Sequence, residues 1–145
     1  MSKLNHRILY FLDRNGRVTL SKIAKSLKTS EQRISYAVKS MKKGAKLLLG
    51  THNFSTYRAA SCGAKSPIRT MEKILIKKNK NKITLQFTSR SFLQQQVRSM
   101  VGCFKYLGEG KWNLNNFLKS FRSKSRSKCA PPAPACGLYL TKIKY

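Results

Sequence analysis

Phe92-Leu93-Gln94-Gln95-Gln96-Val97-Arg98-Ser99-Met100-Val101-Gly102 is the stretch on which the fold turns. Phe92, Leu93, Val97, Met100 and Val101 recur at helical spacing, so the stretch is expected to be an amphipathic helix with one buried face. Arg98 stands alone among these apolar neighbours. Such an arginine either snorkels to solvent along its aliphatic stem or partners a carboxylate or phosphate. Residue type by itself favours the first reading, and the surrounding chain has to decide.

Working outward, Met71 to Ile76 and Lys82 to Thr88 alternate apolar and polar residues around Asn79-Lys80-Asn81, as two half-buried strands should. On the other side, Gly108-Glu109-Gly110-Lys111-Trp112 breaks the helix, and Leu114, Phe117, Leu118 and Phe121 space out another. Ser120 to Lys128 reads as a basic, Ser-rich linker, Ala130 to Ala135 as extended proline-rich chain, and Leu138 to Tyr145 as a strand. Upstream, Met41, Ala45, Leu48 and Leu49 carry a helix to Gly50, with Gly44 a weak point inside it. Strand, strand, helix, helix, strand, preceded by a helix, is an α+β layer with helices on one face of a sheet.

Charge narrows the function. The 145 residues hold 31 Lys+Arg against 4 Asp+Glu, a formal +27. Such an excess invites a polyanion, and nucleic acid is the default partner. No apolar run approaches the roughly 18 residues of a spanning helix, and no secretory signal is evident, so no membrane association and a cytoplasmic location are expected. The cysteines at 62, 103, 129 and 136 form no Cys-x-x-Cys pair, and His6 and His52 complete no metal-ligand spacing, so reduced thiols and no metal are expected. The carboxylates, Asp13, Glu31, Glu72 and Glu109, are far apart and form no catalytic set.

Residues 1–38 read differently. Ile8, Leu9, Phe11 and Leu12 suggest a short helix closed by Asn15-Gly16; Leu20, Ile23, Ala24 and Leu27 suggest a second; and a third opens at Thr29-Ser30-Glu31-Gln32 with capping-box spacing. This is the spacing of a helix-turn-helix. The run from Leu12 to Ala24 resembles the DNA-binding half of Lrp/AsnC-type regulators. That resemblance implies duplex DNA contact through residues 19–43, with Ser30, Gln32, Arg33 and Tyr36 facing the DNA. The plainer reading is a helical packing module without a ligand.

A second resemblance covers residues 39–145. Leu49 to Arg58, Lys65-Ser66-Pro67-Ile68-Arg69-Thr70, Ser91 to Gly102, Gly108 to Trp112 and Ala130 to Leu140 resemble, in order and spacing, the C-terminal half of the tRNA pseudouridine synthase A family. The resemblance implies a ferredoxin-like half-domain and a cofactor-free isomerase of tRNA processing. Its members act as homodimers and convert uridine to pseudouridine in the anticodon arm, through an attacking aspartate. It assigns Arg98 to hold that aspartate, Leu138 and Tyr139 to line the uracil pocket, and Arg58, Lys65, Ser66 and Arg69 to lie near RNA. Phe54 and Tyr57 are open to base stacking or to the core.

Two departures follow. Gln94 and Gln95 stand where the family often has histidines, and Asn53 where it often has an acid. The family's Gly-Arg-Thr-Asp-x-Gly nucleophile segment has no counterpart here, and the one aspartate is Asp13. The strand expected before the helix ending at Gly50 is also not evident. The chain is therefore expected to bind tRNA but to form no pseudouridine alone; either a separate chain brings the aspartate or the protein is inactive, and a homodimer or that separate chain is the expected protein partner. A DNA-binding regulator with an appended basic domain, or a truncated or fused fragment, are the alternatives. Residues 1–38 carry a net +6 and residues 39–145 a net +21, which places the greater phosphate affinity in the second part.

Overall fold

A computed structural model describes the backbone of residues 5–12, 31–79 and 82–144, and the side chains of residues 35–78 and 83–139. Five strands are described: β1 (Asn5–Leu12), β2 (Gly50–Asn53), β3 (Ile68–Asn79), β4 (Lys82–Ser89) and β5 (Leu138–Lys144). Three α-helices accompany them: α1 (Glu31–Leu48), α2 (Gln96–Gly108) and α3 (Leu114–Ser123).

The sheet runs β2-β3-β4-β1-β5, and every neighbouring pair is antiparallel. Two crossovers interleave to produce this order. The β1–α1–β3 connection encloses β4, and the β4–α2–α3–β5 connection encloses β1. That is the split βαβ arrangement of a ferredoxin-like half-domain, with β2 added at one edge.

β1 corrects the sequence reading. Ile8, Leu9, Phe11 and Leu12 were expected in a helix, and the strand before α1 was expected to be missing. Instead Asn5–Leu12 is that strand, paired with both β4 and β5. Ile8-Leu9-Tyr10-Phe11-Leu12 is a continuous apolar run, and such a run fits a central strand as well as a buried helix. Ile8, Tyr10 and Leu12 stand in register with Phe87, Leu85 and Ile83. The second expected helix, over Leu20 to Leu27, and Ser30 lie outside the described residues.

The helices cover one face of the sheet. α1 buries Ala37, Val38, Met41, Ala45 and Leu48, one stripe at helical spacing, while Leu49 remains partly exposed. α1 runs unbroken through Gly44, which is a contact point rather than a break. A Cβ there would lie 2.9 Å from Leu107 Cδ2 and 3.2 Å from Phe117, so only glycine lets α1 approach α2 and α3 this closely. Ile74, Ile76, Ile83, Leu85 and Phe87 supply the sheet side of the core, and Phe104 and Phe117 fill the layer between. α3 begins with a reciprocal cap between Asn113 and Asn116.

The helix expected from Phe92 begins four residues later. Gln95 takes a left-handed conformation (φ 62°), and α2 starts at Gln96. The Gln96 side chain explains the delay. It is fully buried, its Oε1 accepts the Leu93 amide at 2.8 Å, and it fixes Phe92-Leu93 as a loop folded back on the helix start. Ser120 to Lys128 is not a linker. Ser120 and Phe121 are buried, Ser120 Oγ donates to the Lys128 carbonyl, and Arg126–Lys128 forms a 3-10 turn.

Candidate functional site

The site is built where α2 meets the proline-rich strap that leads to β5. Arg98 lies in the first turn of α2 and is partly buried. Its Nε donates to the Ala133 carbonyl at 2.8 Å, and the Ala133 amide donates to the Arg98 carbonyl at 2.9 Å. This reciprocal pair fixes the helix to the strap and fixes one edge of the guanidinium. Among the described residues that is the one hydrogen bond of the Arg98 side chain.

The strap can run so close because of Gly102. A Cβ on Gly102 would lie 2.0 Å from the Pro131 carbonyl oxygen, well inside contact distance. Pro131 and Pro132 stiffen the strap, and Ala130 and Ala133 bury their side chains in the core. Five residues past Ala133 the strap becomes β5, which opens with Leu138, half-buried against the core, and Tyr139, 52% exposed. Arg98 and the Leu138-Tyr139 pair are thus joined by one short, doubly anchored segment.

The described chain brings no carboxylate to Arg98. Glu109 is engaged by Lys105 at 3.9 Å and Lys111 at 3.4 Å, and Glu72 is exposed on β3. Asp13 lies outside the described residues.

The second expected cluster is divided by the structure. Arg58 is partly buried and its Nη2 donates to the carbonyls of Cys62 (3.0 Å) and Ala64 (2.6 Å), so it staples its own loop. Arg69 Nη1 donates to the carbonyls of Ser66 (2.8 Å) and Ile68 (2.7 Å) in the same manner. Ser66 is exposed and accepts the Ile68 amide, and Lys65 is exposed. Lys65, Ser66 and Arg69 therefore share the turn that enters β3, one residue past the carbonyl that Arg58 holds.

Phe54 and Tyr57 are fully buried, and Tyr57 stacks on Phe121 with centroids 6.0 Å apart, so both belong to the core and not to base stacking. Burial also drives the Tyr57 phenol well above its ordinary pKa. Of the residues expected at DNA, Tyr36 is 72% exposed on α1; the backbone of Gln32 and Arg33 lies in α1 and their side chains are outside the description.

Sequence reading missed Arg126. Its guanidinium bonds to Ser99 Oγ, next to Arg98, and reaches Gln95 Oε1 at 3.5 Å. The signal was there in the basic Ser120 to Lys128 run, but only the turn at Arg126–Lys128 folds it back onto α2. Among the described residues no group of three His, Cys, Asp or Glu could hold a metal ion, and no helix is long and apolar enough to cross a membrane.

The fold is an α+β half-domain in which Arg98 is held at Nε by the strap leading to β5. Residues 45–145 match the family model described as tRNA pseudouridine synthase, and the chain belongs to that family. It is 61% identical over 105 residues to tRNA pseudouridine synthase A of Pelagibacter ubique, covering 72% of this chain and 43% of the relative. It is 42% identical to the proteins of that name from Xanthobacter autotrophicus, over 72% of this chain and 43% of the relative, and from Paramagnetospirillum magneticum, over 77% and 44%. The chain thus spans less than half the length of these relatives. Residues 1–44 match a model of the MarR family, so the helix-turn-helix resemblance is of MarR rather than Lrp/AsnC type. The two matches adjoin at Gly44 and Ala45, inside α1.

Proposed function

We propose that the chain binds tRNA and carries the arginine-bearing half of a pseudouridine synthase site, with the nucleophilic aspartate brought by a separate polypeptide. The observation that carries this reading is Arg98, held at Nε by Ala133 with no carboxylate of the described chain beside it. In the reaction that the family resemblance implies, a carboxylate attacks the uridine nucleoside, the glycosidic bond breaks and the uracil turns; C5 then bonds to the ribose, the carboxylate is released, C5 loses its proton and N1 gains one. Arg98 would keep that carboxylate ionised and aimed through a charge-assisted pair. Leu138 and Tyr139 would flank a uracil that has left the stack. Lys65, Ser66 and Arg69 would lie along the RNA backbone, while Arg58 acts through the loop it staples. In this reading residues 39–145 carry the site residues, residues 5–12 complete their sheet as β1, and the chain acts in the cytoplasm.

The test is competition binding of tRNA against duplex DNA at one fixed salt concentration, together with pseudouridine assay. Preference for tRNA and no pseudouridine from the chain alone are expected. Pseudouridine should appear when a polypeptide carrying Gly-Arg-Thr-Asp-x-Gly is added. Preference for duplex DNA would instead favour a second reading, DNA contact through residues 19–43, which rests on the MarR match and the exposed Tyr36. Sedimentation with and without the added polypeptide separates a hetero-assembly from a homodimer.

A further inference from the structure

Beside the junction of α2 and the strap that holds Arg98 lies a pair of thiols that the uridine chemistry does not use. Cys103 lies in α2, one residue past Gly102, and is fully buried. Cys129 ends the Arg126–Lys128 turn, just before the strap, and is partly exposed. Their sulfurs are 3.6 Å apart across 26 residues of chain. A disulfide bond is about 2.05 Å long, so the sulfurs need to close by roughly 1.5 Å. The close approach of Gly102 to Pro131 is what brings the two segments within that reach.

The surroundings make the two thiols unequal. Cys129 is pulled below its ordinary pKa, first by the hydrogen bond from Cys103 and further by the Arg126 guanidinium, whose Nη1 lies 3.9 Å away. Cys103 is pushed upward by that same hydrogen bond and by burial. The exposed member is thus the better nucleophile and the buried member the one held in reserve.

We propose that Cys103 and Cys129 are a redox-responsive pair that closes to a disulfide when the chain meets hydrogen peroxide. The Cys129 thiolate attacks one peroxide oxygen, the O–O bond breaks, and the departing oxygen leaves as water after taking a proton, giving a sulfenic acid. Cys103 sulfur then attacks the Cys129 sulfur, the S–O bond breaks, and hydroxide leaves with the Cys103 proton as a second water. Two electrons pass from the thiols to the peroxide. The product ties α2 to the residue four positions before Ala133, so it locks the strap that orients Arg98. This chemistry does not depend on which nucleic acid the chain binds.

Peptide mapping of the folded full-length chain after peroxide and alkylation tests it. The expected product is a Cys103–Cys129 linkage, lighter by two hydrogens and reversed by dithiothreitol. The linkage should persist in the Cys62→Ser/Cys136→Ser variant and be lost in Cys129→Ser. In Cys103→Ser, Cys129 should be trapped as sulfenic acid by dimedone. Hydrogen exchange at the Ala133 amide should slow on oxidation. The proposal is overturned if both thiols remain open to alkylation after unfolding, if the linkage joins Cys62 or Cys136, or if Ala133 exchange is unchanged in the linked protein.

Discussion

Two arginines hold two loops in this molecule, and they do so with different parts of the side chain. Arg58 spends the end of its fork, Nη2, on the carbonyls of Cys62 and Ala64. Arg98 uses Nε, at the base of the fork, on the carbonyl of Ala133. The first geometry closes the guanidinium on its own loop. The second anchors the guanidinium at its base, and among the described residues no other group bonds to it. Both arginines stand in family-like blocks, and the sequence offers no way to see which atoms each would use. The comparison teaches that a site arginine is recognised less by its neighbours in sequence than by which nitrogen the fold consumes.

The largest effect expected concerns the approach on which the Arg98 geometry depends. Gly102→Ala places a methyl group 2.0 Å from the Pro131 carbonyl oxygen. It should destabilise the fold by about 3 kcal/mol, the upper part of the overpacking range, in urea or thermal unfolding. An unfolding midpoint like that of the parent would mean that the strap is not pressed on α2.

Next is Arg58→Ala. Losing two hydrogen bonds to a charged group in a partly buried loop should cost about 1.5–3 kcal/mol of stability. At temperatures where the variant is folded, tRNA affinity should be little changed. A large affinity loss with unchanged stability would put Arg58 on the RNA and erase its contrast with Arg98.

Arg98→Ala should cost less in stability, about 1 kcal/mol for one neutral-acceptor bond at a partly exposed site. Its affinity for tRNA should stay near that of the parent, because the outer fork is kept for a carboxylate. Pseudouridine formation in the presence of the aspartate-bearing polypeptide should be abolished. An affinity loss of about 1–3 kcal/mol would make Arg98 a phosphate ligand instead. The smallest effect, about 1 kcal/mol, is expected for Asn113→Ala, which removes the cap of α3 without touching either arginine. If Asn113→Ala and Arg98→Ala lowered pseudouridine formation equally, Arg98 would act through stability alone.

Much of the fold was legible because its signals are local. Alternation marked β3 and β4, periodicity marked α1 and α3, and the Ala130 to Ala135 run marked the extended strap. What was not legible depends on partners distant in sequence. The run Ile8 to Leu12 has no alternation to distinguish a central strand from a helix, and only β4 and β5 on either side decide the matter. The start of α2 was misplaced because Phe92 and Leu93 satisfy helical spacing, while the buried Gln96 side chain captures the Leu93 amide and delays the helix to Gln96. Phe54 and Tyr57 looked equally suited to a base or a core until Phe121 stacked on one of them. At the site, Arg98 was legible through its family block, whereas Ala133 and Arg126 were not, since an alanine carbonyl and a basic turn carry no pattern of their own.

The order of the strands has a consequence for how the chain acquires its shape. Of the described strands β1 comes first in the chain and β5 last, yet the two are neighbours in the sheet, with Asn5 opposite Lys144. During synthesis β1 emerges long before either partner, and β4 then waits with an unpaired edge on its β1 side unless the first strand is already docked. Contacts this distant in sequence make for slow closure and a long interval in which bare strand edges can meet other chains. Among the described strands β5 is made last and is the one that covers the far edge of β1, so the strap carrying Ala133 takes its place late in folding.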